Sequence, residues 1–302
     1  MNFARLLVPP IIFYLFRYIK RQLKRNYQIN DYSLKLTKGH SLPEFQKKHR
    51  LYDRFLPYLS KHIGSDETIV DVGANIGDTA YQISSQSDSK VICIEGSEKF
   101  YNCLVKNINN LPQDKRENIS CIEALVGQET TKGGLKHING TATFVEDSSL
   151  DVISNKSTLD SLLTEVPNIR LVKVDTDGYD HDVLLSGENM IKEHQPLLFW
   201  ENVVENDLQL SGYGSLYVKL KELGYTRIYI FDNYGNLLCS IQDFDSLYSI
   251  CQYVYTINQH GDHRTFGYTD TLAVTEKDEK WVNEIIESYK SEVIKSCGPN
   301  QA

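Results

Sequence analysis

The sequence lacks the marks of several common classes of protein. None of its six cysteines forms a CxxC pair or another spacing typical of metal ligands. It holds 32 basic and 40 acidic residues, which gives a formal charge of -8. Because nucleic-acid-binding surfaces are usually strongly basic, we expect no nucleic-acid partner. No apolar run reaches the ~20 residues that a membrane-spanning helix needs.

Two of the cysteines indicate the compartment. Cys93 and Cys121 lie inside apolar runs that are typical of strands, where a thiol packs as a small hydrophobic side chain. Free buried thiols are typical of a reducing environment. We therefore expect the body of the protein to be cytoplasmic.

Residues 1–30 form an N-terminal segment that is both apolar and basic. Residues 6–16 read LLVPPIIFYLF, and five basic residues follow within 17–25. A helix that begins near Pro10 would carry an apolar face and a basic face. This pattern suits a helix lying in the membrane surface, and equally one docked on the domain. Peripheral contact of residues 1–25 with the inner face of the membrane is therefore one of two expectations.

From residue 66, short β-branched runs alternate with helical patterns. Apolar strands separated by helices are typical of a parallel sheet covered on both faces. Two later runs, at 227–231 and 271–275, read as further strands. The sequence predicts an α/β fold with a doubly wound, Rossmann-like sheet that is mostly parallel and has an antiparallel C-terminal strand. The five earlier strand candidates are residues 68–72, 90–95, 118–124, 169–175 and 196–201.

The same alternation sets the expected boundaries. A helical lead-in is predicted over residues 31–65, the main domain over 66–276, and a C-terminal helix and tail over 277–302. Residues 127–150 do not fit the alternation. We predict an inserted hairpin there, turning at Asn139-Gly140 on the functional edge of the sheet, with a plain surface excursion as the alternative.

The stretch DVGANIGDT at residues 71–79 is the most informative part of the chain. It follows the first strand directly and opens a helix, where ligands of open α/β sheets bind. It has neither the G-x-G-x-x-G of a dinucleotide site nor the Gly-Lys-Ser/Thr of a phosphate loop. An acid two residues before a G-x-x-x-G is typical of the loop that binds S-adenosylmethionine in methyltransferases. The candidate cofactor-binding residues here are Asp71, Gly73, Ala74, Asn75, Gly77, Asp78 and Thr79.

A second acid supports a cofactor site. Glu95 ends the second strand, where a carboxylate can accept both ribose hydroxyls, although a solvated strand end is the alternative. Gly96 and Ser97 follow it. The end of the third strand adds Glu123 and Ala124 to the candidate cofactor-binding residues.

The motifs together resemble those of the FkbM-family methyltransferases. Residues 71–77 resemble the first motif, with Asn75 in place of a middle glycine, and residues 158–163, 171–180 and 198–201 resemble three later ones. The resemblance covers roughly residues 65–275. It implies S-adenosylmethionine as cofactor and O-methylation, often of a sugar or a polyketide-type hydroxyl. Asp177 and Tyr179 depart from the usual glutamate and small residue, which affects the identity of the acceptor.

Methylation of a hydroxyl benefits from a group that removes its proton. Asp175, which ends the fourth strand, is the first candidate, and Asp177 and Glu201 are the next. An acid that stabilises a helix N-terminus is the alternative for Asp177. These oxygens are of the kind that Mg²⁺ prefers, but the spacing is not that of an EF-hand, and we assign no metal. His260 and His263 fit an exposed loop better than a catalytic role.

The expected function is O-methylation of a sugar hydroxyl on a glycan or lipid-linked oligosaccharide. The acceptor is thus a small-molecule or glycan hydroxyl. A nicotinamide-dependent oxidoreductase and a non-catalytic cofactor-binding protein are the alternatives.

Overall fold

The computed structural model describes residues 25–128, 131–138, 140–146, 153–154, 156–260 and 267–294. The candidate membrane-surface helix, His263 and the end of the C-terminal tail lie outside these ranges. None of the described helices combines the length and the apolarity that a bilayer crossing requires.

An antiparallel hairpin opens the described chain. It pairs β1 (Asn26–Ile29) with β2 (Tyr32–Lys35), and α1 (Leu42–Lys48) and α2 (Phe55–Ser60) follow. The structure thus corrects the start of the predicted helical lead-in. Asn30 adopts a left-handed backbone with φ of 49°, which asparagine tolerates and which suits a tight hairpin turn.

The other elements follow in an alternating order. They are β3 (Thr68–Val72), α3 (Asp78–Ser84), β4 (Lys90–Glu95), α4 (Glu98–Ile108), α5 (Gln113–Arg116), β5 (Ile119–Glu123), β6 (Thr131–Ile138), β7 (Thr141–Glu146), β8 (Ile153–Ser154), α6 (Leu159–Leu163), β9 (Ile169–Val174), α7 (Asp180–Leu185), α8 (Glu188–His194), β10 (Leu197–Asn202), α9 (Asp207–Glu222), β11 (Tyr225–Asp232), β12 (Leu237–Ile241), α10 (Phe244–His260), β13 (Thr269–Thr275) and α11 (Glu276–Tyr289), with a π-helical turn at Lys290–Ile294.

Eight strands form the central sheet in the order β12-β11-β13-β10-β9-β3-β4-β5. The five strands from β10 to β5 are parallel, and β13 is antiparallel to both of its neighbours. The predicted α/β fold, mostly parallel with an antiparallel C-terminal strand, is confirmed. The sequence did not predict β12, an edge strand that is apolar in sequence but whose residues are all partly or fully exposed.

Helices cover both faces of the sheet. Along β3, Ile69 packs into one hydrophobic core, while Val70 and Val72 pack into the other. This alternation follows from the two-residue repeat of a strand. Helices α2, α3, α4 and α11 contribute to the first core, and α6 to α10 to the second.

The strand order reverses beside β3. From β3 the chain runs outward through β4 to β5, and it then returns to place β9 on the other side of β3. The carboxyl ends of β3 and β9 therefore border a crevice where open α/β sheets bind ligands.

The hairpin of β6 and β7 lies in the region where the sequence predicted an insertion. The two strands pair antiparallel from Gly133↔Glu146 to Ile138↔Thr141. Gly140 at its turn has φ of 100°, a backbone conformation that favours glycine.

Candidate active site

A cleft of about 770 Å³ opens at the carboxyl ends of the parallel strands. Its walls come from the strand ends, the β6–β7 hairpin and the lead-in helices. Ten of the predicted site residues line it: Gly73, Asn75, Asp78, Thr79, Glu95, Gly96, Ala124, Asp175, Asp177 and Glu201.

The loop after β3 turns sharply under the cleft. The backbone N–H groups of Gly73 and Ala74 both donate to the carbonyl of Ile94, which holds the loop against β4. Gly73 has φ of 78°, and a Cβ atom there would overlap the carbonyl oxygen of Asp175. Only glycine fits where the loop passes this carbonyl. The cleft is therefore lined there by backbone without a side chain, which a ligand can approach closely.

Glu95 is held at the mouth of the loop by two backbone donors. Asn75 N donates to its Oε2 and Ser97 N to its Oε1, each at 2.8 Å. Burial raises the pKa of Glu95, and the two N–H groups oppose that rise. Each carboxylate oxygen keeps a further lone pair, so Glu95 can still accept hydroxyls from the cleft.

The β6–β7 hairpin is tied to the same loop. Asn75 Nδ2 donates to the carbonyl of Gly140 at 2.8 Å, and Ser97 Oγ lies 2.7 Å from His137 Nε2. The asparagine at position 75 thus reaches an element that a glycine could not reach. The hairpin forms one wall of the cleft because of these contacts.

Five predicted cofactor residues do not line the cleft. Ala74 packs in the core, and Gly77 begins α3 in close contact with Leu104 of α4. Ser97 Oγ accepts the Phe100 N–H at the start of α4. Glu123 points to solvent. Asp71 is fully buried, and it is not among the residues that line the cleft.

Lys173 explains the position of Asp71. The two residues lie side by side on β3 and β9, and Lys173 Nζ is 3.0 Å from Asp71 Oδ1 and 3.1 Å from Asp175 Oδ2. Burial alone would lower the pKa of Lys173, but the two carboxylates raise it well above its ordinary value. A charged lysine therefore bridges the buried acid below the loop and the exposed acid in the cleft.

The three predicted catalytic acids come together in the cleft. The side chain of Asp175 is 41% exposed, and all three residues are partly buried. Burial, followed by the charge of Asp175, raises the pKa of Asp177 to about 6 and that of Glu201 well above its ordinary value. The adjacent Asp180 accepts hydrogen bonds from Thr176 and from the Glu201 N–H, so it orders the ends of two strands.

Sequence reasoning missed four residues that also line the cleft, Tyr52, Asp53, Tyr268 and Asp270. The first two lie in the lead-in and the last two at β13. Asp53 has φ of 56°, and burial, followed by the charges of Asp78 and Asp175, raises its pKa to about 8. An acid inside the apolar run of the last strand was the available signal for Asp270.

Of the two histidines that the sequence considered, His260 and His263, only His260 lies in the part of the chain that the structure describes. His260 is exposed at the end of α10, with its Nδ1 2.7 Å from the carbonyl of Thr256. Over the described ranges, no three His, Cys, Asp or Glu side chains cluster in a way that could hold a metal ion.

The cleft has the groups that S-adenosylmethionine needs. At Gly73 the backbone has no side chain, so a ligand can approach it closely. Glu95 offers acceptors for ribose hydroxyls, and Gly96 and Ala124 line the cleft beside it. When bound, the cofactor supplies an electrophilic methyl group and a good leaving group.

Solved structures with a similar course of the chain share little sequence with it. A putative O-methyltransferase from Klebsiella pneumoniae has 11% identity and a TM-score of 0.40, over 90% of this chain and 92% of that one. An O-methyltransferase from Bacillus cereus in complex with SAH has 11% identity and a TM-score of 0.40. The match covers 90% of this chain and 94% of that one. A precorrin-6y C5,15-methyltransferase from Geobacter metallireducens has 9% sequence identity and a TM-score of 0.39. The match covers 73% of this chain and 86% of that one.

No curated protein matches the sequence. The sequence model described as "Methyltransferase FkbM domain" matches residues 71–227, which is more than half of the chain. This match begins at Asp71 and includes the loop after β3, Glu95, Lys173, Asp175 and Glu201. The chain therefore belongs to the FkbM family of S-adenosylmethionine-dependent methyltransferases.

Proposed function

We propose that this methyltransferase methylates a sugar hydroxyl of a glycan or lipid-linked oligosaccharide. The observation that carries the proposal is the part of the cleft that the lead-in and the ends of β10 and β13 form. There, carboxyl groups of Asp53, Glu201 and Asp270 stand beside the phenols of Tyr52 and Tyr268. Carboxylates accept hydrogen bonds from hydroxyls, and phenols both donate and accept them.

The charge of this part of the cleft argues against an anionic acceptor. Lys173, which contacts Asp175 in the cleft, is already engaged by Asp71 and Asp175. A phosphate or carboxylate next to the reacting hydroxyl would be repelled by whichever of the neighbouring acids are ionised. A neutral polyol can instead donate its hydroxyl protons to the carboxyls.

The protein's own task is to position the acceptor and to receive its proton. An acceptor oxygen held in line with the methyl group reacts as part of one complex, which lowers the entropic barrier. Asp175, Asp177 and Glu201 lie where the strand ends meet the cleft, and they are the proposed groups that orient the hydroxyl and receive its proton.

The test is transfer of tritium from S-adenosyl-[methyl-³H]methionine to a panel of acceptors. The panel holds neutral oligosaccharides, lipid-linked oligosaccharides, phosphorylated sugars and phenolic polyketides. We expect label in a neutral sugar that survives alkali, because an ether resists alkali and an ester does not. Glu95→Ala is the inactive control. Label only in phenols or phosphorylated sugars, or no transfer at all, would refute the sugar assignment.

A further inference from the structure

Two carboxyl groups face each other across neighbouring strands of the active site. Glu201 on β10 lies directly opposite Asp270 on β13 in the antiparallel register. Side chains in such a pair share one face, with Cβ atoms ~4.5–5.5 Å apart. Both residues line the cleft. Asp270 lies outside the residues that the family model matches.

A polar network on the other face of the sheet fixes this register. Asn202 Nδ2 donates to the hydroxyls of Thr269, its own register partner, and of Thr271, the register partner of Trp200. Trp200 Nε1 donates to Asn202 Oδ1 at 2.9 Å. A slip of one residue would turn every side chain to the opposite face, so these bonds hold Glu201 opposite Asp270.

The backbone of Glu201 is also held from both sides. Its N–H donates to Asp180 Oδ1 at 3.2 Å, and its carbonyl accepts from the Tyr213 hydroxyl. The carboxyl of Glu201 thus projects from a strand end with little freedom to move away from Asp270.

Two further acids, Asp175 and Asp180, lie near both members of the pair. In the part of the chain that the structure describes, no ion pair involves Glu201 or Asp270, and burial raises the pKa of both carboxyls well above their ordinary values. Two like charges held this close do not both ionise at neutral pH. The charged and titratable groups around the pair are Tyr52, Asp53, Lys173, Asp175, Asp177, Asp180, Asp232 and Tyr268.

We propose that Glu201 and Asp270 share one proton and that the ionised member of the pair accepts the proton of the acceptor hydroxyl. Asp270 is then a catalytic residue beside Glu201. This inference rests on the proposed hydroxyl acceptor. The O–H bond of the acceptor breaks, its proton moves to the carboxylate, and the oxygen electron pair forms the new O–C bond. The methyl carbon leaves sulfur, which keeps the electron pair of the broken C–S bond.

Asp175 is less suited to this role because it already contacts a cation. Lys173 Nζ lies 3.1 Å from its Oδ2, so this oxygen is already engaged in an ion pair. We assign Asp175 to orientation of the acceptor.

The first experiment follows the carboxyl carbons of ¹³C-labelled Asp and Glu by NMR across a pH titration. It uses the full chain with S-adenosylhomocysteine and no acceptor, so a wrong acceptor assignment does not affect it. We expect one of the two carboxyls to stay protonated at neutral pH. In Asp270→Asn, Glu201 should titrate at lower pH than in the wild type. Glu123→Gln, at the exposed end of β5, should leave the titration of Glu201 unchanged.

The second experiment measures methyl transfer to whichever hydroxyl acceptor the tritium assay identifies. Asp270→Asn and Glu201→Gln should each lower kcat by about 10²–10⁴-fold. Their affinity for S-adenosylhomocysteine should stay within about twofold of the wild-type value. Asp270→Glu, which keeps a carboxyl opposite Glu201, should retain the coupled titration even if Asp270→Asn fails to fold.

Two results would overturn the proposal. One is independent ionisation of both carboxyls below neutral pH, or a titration of Glu201 that ignores the loss of Asp270. The other is a folded Asp270→Asn that turns over at the wild-type rate. Absence of any sugar acceptor refutes the proposed function instead, while the NMR result still decides the state of the pair.

Discussion

The ammonium group of Lys173 lies 3.0 Å from the carboxylate of Asp71, which has no exposure to solvent. Asp71 opens the family motif, and the sequence assigned it to the cofactor. In the structure its charge is matched inside the protein, directly beneath the loop that crosses the cleft. The pair joins the ends of β3 and β9, the two strands where the sheet order reverses.

Replacement of Lys173 by methionine should destabilise the fold strongly. The change leaves Asp71 as a buried carboxylate without its cation, and breaking a buried pair in this way costs about 3–5 kcal/mol. Urea unfolding measures the effect. The double variant Lys173→Met/Asp71→Asn should recover part of the loss, since it removes the unpaired charge as well.

The exposed pair of Lys290 and Glu287 provides the control. Their side chains are 42% and 71% exposed, and Lys290→Met should change stability by at most about 1 kcal/mol. If Lys173→Met costs no more than Lys290→Met, the buried pair does not have the structural role assigned to it.

Gly73→Ala should destabilise the protein and weaken its binding of S-adenosylhomocysteine. The new methyl group would overlap the Asp175 carbonyl, and φ of 78° disfavours any residue except glycine. We expect a loss of more than about 1 kcal/mol, read from the thermal unfolding midpoint. Gly134→Ala on β6 is the matched control, because nothing lies within 4 Å of the added carbon. Equal unfolding midpoints of the two variants would contradict the close contact between Gly73 and the Asp175 carbonyl.

Glu95→Ala and Glu123→Ala separate a cofactor ligand from a bystander. The two glutamates occupy the same register position at the ends of β4 and β5, but only Glu95 lines the cleft. A ligand at 100 times its Kd stabilises the native state by about 2.7 kcal/mol. S-adenosylhomocysteine at that excess should raise the Tm of the wild type and of Glu123→Ala alike. Glu95→Ala should lose most of the rise, and a full rise in that variant would exclude Glu95 as a ligand.

Asp53 should make stability depend on pH. Burial, followed by the charges of Asp78 and Asp175, raises its pKa from 3.8 to about 8, so the folded protein keeps a proton that the unfolded chain has released. The contribution of Asp53 to the free energy of unfolding therefore falls as pH rises from about 4 to about 8. Asp53→Asn cannot ionise and should gain stability relative to the wild type between pH 5 and pH 9. Urea unfolding at the two pH values tests this, and a constant difference between the proteins would exclude the raised pKa.

Removal of residues 1–25 tests the membrane expectation. We expect the full chain to sediment with vesicles that contain anionic lipid and the truncated chain to stay in the supernatant, because the basic and apolar residues of this segment are gone. Both proteins should bind S-adenosylhomocysteine equally. Sedimentation of the truncated protein, or none of the full chain, would rule out this segment as the membrane contact.

Local sequence was sufficient for the parallel strands of the central sheet and for the loop after β3. Periodicity marks strands whose faces are both buried, and Gly73 is needed by its own backbone conformation. The same local signals assigned Ser97 and Glu123 to the cofactor site, but neither residue lines the cleft. A position at the end of a strand indicates that a residue is near the cleft. The direction of its side chain depends on packing with its neighbours.

By itself, the sequence determined the α/β fold, the family and the position of Gly73, Glu95, Asp175 and Glu201 at one edge of the sheet. Only the tertiary structure decided the partners of these residues. Lys173 meets Asp71 and Asp270 meets Glu201 across pairs of strands that are about 70 to 100 residues apart in the chain, roughly the span of a small domain. Strand register sets such contacts through the packing of the whole sheet, and no local pattern in one strand records which residue of another will lie opposite.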